Sequence, residues 1–338
     1  ELKILDLLCQ SCAREIPWVE LGFGPRDLRV TTPQQSAALS FSHPEMQETL
    51  LAADSAGVVV RRGVSVQKIE PGPEPRVVAR QNGHTETISA RLVVAADGRN
   101  SAARKWLNFA TQKSGDPFFF SGVLLSGIPA REDVAWLIFN PEIGLIAALV
   151  SQGRGRFRAY LGYPASSSYR LNGRESLPLF LSESARVAPF FAEYYSRAKD
   201  IGPLASFEGG NFWVEHPYHN GVALLGDAAG TSDPSFGQGI SLSLRDARTL
   251  RDALLSNTDW DAAGHRYAER HDDYFQRVRT AAGWFRAVFQ EQTPEAAARR
   301  QRALPLIGQD MTRIPDHLFS GPELPLDETV RARFFGES

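Results

Sequence analysis

Cysteine is nearly absent from this chain. Only Cys9 and Cys12 occur among 338 residues, spaced Cys-x-x-Cys. No second Cys pair and no His at ligand spacing accompanies them, which excludes a zinc site on ligand count. A redox pair of the thioredoxin type needs a preceding strand, and the residues before Cys9 read as helix, so two inert thiols are expected. So few cysteines suit a cytoplasmic protein that does not rely on disulfides. Long apolar runs are missing as well: none approaches the roughly 18 residues that a membrane helix needs. Charge of either sign is not in excess. The 37 Lys and Arg against 39 Asp and Glu give a formal net charge of −2, and this offers no electrostatic case for nucleic acid or an anionic membrane. "ELKILDLLCQSC" is interrupted by acidic and basic residues and has no signal-peptide pattern. Internal repeats and low-complexity tracts are absent.

What remains is the composition of an ordinary globular protein, 43% hydrophobic and 22% charged, long enough for one large domain or two. Residues 1–16 read as an amphipathic helix, with Leu2, Leu5, Leu8 and Cys12 on one side. Short extended runs fill 18–41. Pro44 suits the first turn of a helix that Gly57 ends, with Met46, Leu50 and Leu51 on its apolar side. "VVVRRGVSVQKIEP" reads as one or two strands, and "RVVARQNGHTETISA" as a hairpin turning at Asn82-Gly83. Between 117 and 215, alternation in "FFFSGVLLSGI", "AWLIFN", "GLIAALVSQ", "RFRAYLGY" and "FEGGNFWVEH" predicts a one-sided antiparallel sheet, interrupted by a helix near 175–197. Helices are expected over 238–256 and 261–290.

Two segments carry chemistry. "ARLVVAADG" and "GVALLGD" are buried strands, and each runs into a glycine and a carboxylate. A carboxylate at the carboxyl edge of an α/β sheet lies where ligands bind. After the second come the small residues "AAG", then Asp233-Pro234, then Gly237 and Gly239 opening a helix. The amides at that helix start suit a phosphate, or a ring carbonyl that gains negative charge. Taken alone, each corner could merely turn the chain.

Taken together, "ADGRNSAAR" resembles the Asp-Gly-x-x-Ser-x-x-Arg motif of the class A flavoprotein monooxygenases, the p-hydroxybenzoate hydroxylase-like group. "GDAAGTSDPSFGQGISLSLRDA" resembles their Gly-Asp-Ala-Ala…Pro-x-x-Gly-Gln-Gly motif. "SHPEMQETLLAA" is similar to their Ser-Arg-x-x-Leu-x-x-x-Leu-Leu helix, with His43 where Arg is usual. The resemblance implies an α/β (mixed α+β) fold: a Rossmann-like FAD-binding domain interrupted by an antiparallel substrate sheet, with C-terminal helices. It places the FAD-binding parts at 1–116 and 216–338 and the substrate domain at 117–215.

The resemblance also implies roles. Asp227, after Gly226, would bind the FAD ribitol. Pro234 would lie beside the isoalloxazine ring, and the backbone of Ile240 and Ser241, freed by Gly237 and Gly239, would face its N1/C2 edge. Asp97 and Gly98 belong to a motif linked to FAD and NAD(P)H. Arg104 would support that corner, and His43 would lie near the FAD phosphates or ribityl chain. Gly230 stands where the family often has His and receives no role. The family's opening Gly-x-Gly-x-x-Gly unit has no counterpart here; by family order residues 1–40 correspond to the segment after that unit, so the chain is expected to be N-terminally incomplete.

The reaction implied is NAD(P)H-dependent hydroxylation of an aromatic or related small organic substrate through a flavin C4a-hydroperoxide. No side-chain acid or base is demanded, and no metal. Trp213, His216 and Tyr218 are weighed as pocket residues against simple packing or surface roles, and His265 and His271 are expected to be solvated. Three other readings stay open: a same-fold flavin reductase, a halogenase-like oxidoreductase, and a truncated non-catalytic remnant. The tryptophan-halogenase motif Trp-x-Trp-x-Ile-Pro is not matched around Trp136.

Overall fold

The computed structural model describes residues 4–33, 35–53, 57–114 and 118–338. In chain order the helices are α1 (Leu5–Ser11), α2 (Leu28–Thr31), α3 (His43–Ala52), α4 (Ala102–Trp106), α5 (Leu177–Val187) and α6 (Phe191–Tyr195). Next come α7 (Gly239–Leu255), α8 (Trp260–Phe289), α9 (Pro294–Gln309), α10 (His317–Ser320) and α11 (Glu328–Phe335). The strands begin with β1 (Ala13–Ile16), β2 (Trp18–Glu20), β3 (Pro25–Asp27), β4 (Ala38–Phe41), β5 (Ser65–Glu70), β6 (Arg76–Gln81) and β7 (His84–Ser89). They continue with β8 (Val93–Ala95), β9 (Thr111–Ser114), β10 (Phe118–Ser126), β11 (Val134–Asn140), β12 (Leu145–Gly153) and β13 (Arg156–Pro164). The last are β14 (Lys199–Asp200), β15 (Ala205–Glu208), β16 (Asn211–Val214), β17 (Tyr218–His219), β18 (Val222–Leu224) and β19 (Gly230–Thr231). Two compact units divide the chain: Glu1–Ala56 with Asp116–Gly209 and Gly283–Ser338, and Gly57–Gly115 with Gly210–Ala282. Leu2, the tail of the expected helix at 54–56 and the expected boundary at 116/117 lie outside the described residues.

The first unit is built on a mostly antiparallel sheet in the order β14-β10-β13-β12-β11-β2-β3, with β15 also on β10. Alternation does the work here, because successive side chains of a strand take opposite faces. Val123 and Leu125, Trp136 and Ile138, Ala147 and Leu149, and Phe157, Ala159 and Leu161 share one core with Phe180 of α5 and Phe191 of α6. Two glycines in these strands make room for rings. A Cβ at Gly122 would stand 2.7 Å from the Tyr160 ring, and one at Gly162 would stand 2.8 Å from both Phe118 and Phe120.

The expected helix over 1–16 is corrected: α1 ends at Ser11, and β1 pairs antiparallel with β4 from Ala13↔Phe41 to Ile16↔Ala38. Ile16 is fully buried there, so tertiary pairing overrides a modest helical pattern. Both cysteines are free; Cys9 is exposed, and desolvation together with Glu15 and Asp6 raises its pKa, which disfavours the thiolate.

The second unit centres on β8 and β18, which pair in parallel, Val93 opposite Val222 and Ala95 opposite Leu224. Val222 and Leu224 pack with Val93, Ala95 and Ala103. Ala223 and Leu225 pack on the other side with Leu250 and Ala253 of α7 and with Ala263 and Tyr267 of α8. Burial on both faces explains the unbroken apolar run before Gly226. The hairpin β6–β7 turns at Asn82 and Gly83, both at positive φ, 50° and 86°. "FEGGNFWVEH" does not all belong to the large sheet: it breaks after Gly209, and β16 joins β9 and β19 in the second unit. Val58–Val60, expected as strand, have no regular structure and are exposed.

Gly264 lies inside α8, where a Cβ would overlap the Tyr218 ring. That ring cannot swing away freely. Its hydroxyl donates to Asp261 Oδ1 at 2.8 Å and accepts the Gly221 amide at 3.0 Å. Gly264→Ala gains up to about 1 kcal/mol of helix propensity against an overpacking cost of about 1–3 kcal/mol. The variant is therefore expected to unfold at lower denaturant concentration than wild type with an unchanged slope, measured by urea titration.

Candidate functional site

The β8–β18 pairing brings two strand ends together, and the Leu225 amide donates to Ala95 O at 3.0 Å. Past β8 the chain turns through Gly98, at φ 79°. Asp97 Oδ2 accepts the amides of Ala102 (2.8 Å) and Ala103 (3.1 Å), and Ser101 Oγ accepts that of Arg104 at 2.9 Å. These two side chains satisfy the first turn of α4. The Asp97 carboxylate is therefore engaged in holding its own corner.

Arg104 is buried at 8% exposure. Its guanidinium donates to Ala228 O at 2.9 Å and to Arg99 O at 2.6 Å, and lies over the Phe212 ring at 4.5 Å. Burial lowers its pKa from the usual arginine value, yet a guanidinium stays charged throughout the working range. Arg104 thereby ties the corner at 97–101 to the corner at 226–229.

At the second corner Gly226 takes φ 58°, and a Cβ there would stand 2.6 Å from Ser243 Oγ of α7. Its amide donates to Asp246 Oδ2 at 2.7 Å, and Asp246 Oδ1 accepts the Tyr274 hydroxyl. The Tyr267 hydroxyl donates to Leu224 O at 2.6 Å. Asp227, one residue on, makes no side-chain hydrogen bond among the described residues. The residue is exposed, with its carboxylate partly enclosed by the surrounding chain. That partial burial raises its pKa, with the positive charge of Arg99 acting the opposite way.

The loop continues through Pro234–Phe236, a single 3₁₀ turn, and reaches Gly237 at φ 64°. α7 starts at Gly239 with no side-chain cap, and the first amide to reach back into it is Leu242, to Gln238 O at 3.0 Å. The amides of Gly239, Ile240 and Ser241 thus form the positive end of a helix of 17 residues. Beside them Gln238 Nε2 is buried without a partner among the described residues. Nothing lies within 4 Å of where a Cβ would stand on Gly237 or Gly239. An unpartnered carboxylate, an orphaned buried amide and an uncapped helix start fit a ligand rich in hydroxyls that also carries a polar ring edge. FAD is such a ligand.

All the expected site residues except His43 belong to the second unit. His43 lies in the first, exposed at the start of α3, with its ring 5.8 Å from that of Phe41. Gly230 faces Phe275, whose ring would stand 2.8 Å from an added Cβ. Trp213 lies under the guanidinium of Arg279 at 3.7 Å. Tyr218 is buried, and its pKa is pushed up to about 12 by burial and by Asp261. His216 Nε2 and His265 Nδ1 share a hydrogen bond of 2.8 Å. His271 is not solvated as expected: it is 1% exposed and stacks on Phe275 at 5.2 Å. It shares the inner face of α8 with Tyr267, Tyr274 and Phe275, at i−4, i+3 and i+4.

Asp246 was missed as a site residue. Its signal was present: Leu242, Asp246, Leu250 and Ala253 are the buried residues of α7, and a lone carboxylate on an apolar helical stripe needs partners. Among the described residues no cluster of His, Cys, Asp and Glu could hold a metal ion, and no helix is long and apolar enough to cross a membrane.

The model of the FAD binding domain family matches residues 24–285. Phenol 2-monooxygenase of Aspergillus fumigatus is 27% identical over 256 residues, 72% of this chain and 43% of that protein. Like that enzyme, the curated relatives matched are spanned over less than two thirds of their length. Two solved structures share the fold. p-Nitrophenol 4-monooxygenase from Pseudomonas putida gives a TM-score of 0.71 at 17% identity, over 93% of this chain and 82% of its own. A flavin-dependent halogenase gives 0.71 at 16% identity, over 99% of this chain and 68% of its own. On the match across most of its length, the chain belongs to the FAD binding domain family, that of the class A FAD-dependent monooxygenases.

Proposed function

We propose that this chain carries the flavin site of an NAD(P)H-dependent monooxygenase that hydroxylates a small aromatic or related substrate. One observation carries the reading: the unpartnered carboxylate of Asp227 in the same loop as the uncapped start of α7. When bound, FAD supplies hydride acceptance from the nicotinamide and activation of oxygen for transfer to an electron-rich ring. The residues do the rest. Asp227 accepts hydrogen bonds from ribityl hydroxyls. The amides of Ile240 and Ser241, at the positive end of α7, hold the negative charge that reduction places on the N1/C2 edge. Gln238 offers its buried Nε2 as a further donor. Pro234 and the bare glycines Gly237 and Gly239 leave a flat ring room to lie against the loop. Arg104 and Asp97 Oδ2 keep both corners in place through main-chain bonds.

The curated relative favours oxygen transfer to a phenol, since it is named a phenol 2-monooxygenase; the p-nitrophenol 4-monooxygenase structure supports the fold. The halogenase shares the fold alone. Trp136, the residue nearest to a halogenase motif, is a core residue here at 6% exposure, edge-on to Tyr194 at 5.7 Å.

Three outcomes are expected. Titrating FAD into the purified chain should give a structured visible spectrum, and Asp227→Asn should weaken binding on the order of tenfold, the worth of one or two charge-assisted bonds. Unchanged affinity in that variant would sink the placement of the ribityl chain.

Without FAD the same variant should be more stable than wild type at neutral pH. The folded-state pKa of Asp227 is raised, so its stabilising contribution is present below the unfolded pKa and is lost as pH rises through the folded one. The gain should therefore vanish as pH falls below about 4, the ordinary range of an unfolded aspartate. Thermal unfolding at a series of pH values reads this directly.

Oxygen uptake driven by NADH or NADPH across a panel of phenols should end in hydroxylated product. Halogenated product dependent on added halide, or reduced product formed without oxygen, would replace the reading with one of its rivals.

A further inference from the structure

The Gly226–Asp227 corner turns through a left-handed conformation that glycine adopts freely, and what fixes it is the set of bonds around it. Gly226 has φ 58°, and α7 approaches so closely that a Cβ would crowd Ser243. The surrounding bonds come from beneath. Tyr267 of α8 donates to Leu224 O, Asp246 of α7 accepts the Gly226 amide, and Tyr274 of α8 donates to the other oxygen of Asp246. Asp246 is 3% exposed and Tyr274 is 7% exposed. A buried carboxylate is costly to keep. Here both its oxygens are used, and one of them fixes the residue just before Asp227.

We infer that Asp246 is a positioning residue for the cofactor: through the Gly226 amide, and held in turn by Tyr274, it aims Asp227 at the ribityl chain. The inference rests on the flavin reading above, and it goes beyond it by assigning the aim to a side chain that touches no cofactor. A merely structural Asp246 would affect folding and leave the corner's ligand geometry alone. A positioning Asp246 acts on FAD affinity in protein that remains folded.

The chemistry also predicts which substitution is tolerated. An asparagine can accept the Gly226 amide with its oxygen and donate its NH₂ to the Tyr274 oxygen, because a phenol hydroxyl both gives and takes. An alanine can do neither.

The test is FAD affinity by fluorescence quenching at a temperature where far-UV circular dichroism shows each variant folded. Asp246→Ala should bind FAD on the order of tenfold more weakly, the cost of one lost bond to a charged group, and Asp246→Asn should stay near wild type. In the cofactor-free protein, the Gly226 amide should exchange with solvent at least about tenfold faster in Asp246→Ala, the factor that goes with losing roughly 1.4 kcal/mol of protection. If Asp246→Ala does not fold, Tyr274→Phe carries the test, with weaker FAD binding and faster Gly226 exchange both expected. Wild-type affinity in Asp246→Ala alongside weakened binding in Asp227→Asn would overturn the positioning role and leave the flavin reading standing. Wild-type affinity in both would overturn the flavin placement itself. Unchanged Gly226 exchange in Asp246→Ala would overturn the clamp whatever the cofactor does.

Discussion

The second unit depends on a pairing of two strands of three residues each. Val93–Ala95 and Val222–Leu224 are far apart in the chain, and they run in parallel. Parallel neighbours end at the same edge, so their next residues emerge together. Here those are Asp97-Gly98 and Gly226-Asp227. Antiparallel pairing would have sent the two carboxylates to opposite ends. A ligand-binding edge therefore follows from strand direction before any side chain is considered. The long connection between the strands is the cost of that direction, and the chain uses it to build β10 to β15, six of the eight strands of the large sheet, which β2 and β3 complete from the N-terminal side.

A buried guanidinium and a buried carboxyl group, the latter with its pKa raised by burial, then hold the second corner by its backbone. Arg104 grips Ala228 O from α4, and Asp246 grips the Gly226 amide from α7. Asp227 is the residue between them. Among the described residues neither group forms a salt bridge; each spends its bonds on main-chain groups, with Tyr274 completing Asp246. Burying an ion this way is a poor route to stability. It is a good route to a fixed backbone, since an amide and a carbonyl two residues apart are pinned from opposite sides. The side chain between them is left to the solvent or a ligand. The Asp97 carboxylate, by contrast, has been drawn into its own helix cap. Two corners that look alike in sequence thus differ: Asp97 gives Oδ2 to its own helix cap, and Asp227 has no side-chain hydrogen bond among the described residues.

Much of this was legible in the sequence because local rules and tertiary demands agree there. Asn82-Gly83 made the turn its dihedrals require, and the helix over 260–289 obeys its apolar spacing; over 239–255 the helix is as expected, but it buries Leu242, Asp246, Leu250 and Ala253 while Leu244 is exposed. Legibility failed where a distant partner decided the outcome. Ala13–Ile16 became a strand because Ala38–Phe41 was available to pair with it. "FEGGNFWVEH" divided because its two halves found different sheets. His271 looked solvated among its charged sequence neighbours, but it faces inward with residues a turn away on either side. Asp246 is the instructive case. The structure puts it on the buried stripe with Leu242, Leu250 and Ala253, a face turned away from exposed Leu244, and a carboxylate there needs donors that the sequence order could not name.

Gly230 shows how a departure from a family pattern is explained by packing. The position often carries histidine, and reading the glycine as a lost functional group would be natural. In this chain the space is taken: the Phe275 ring of α8 stands 2.8 Å from where a Cβ would be, and Phe212 O stands at 3.2 Å. A histidine could return only if Phe275 moved. Phe275 is itself stacked on the buried His271, whose ring stands 5.4 Å from that of Tyr274. Tyr274 is the residue that completes Asp246. Position 230 thus touches, through one face of α8, the same residues that complete the clamp on Gly226. The loop and the helix behind it have to be read as one packing unit, and a substitution in either is a change to both.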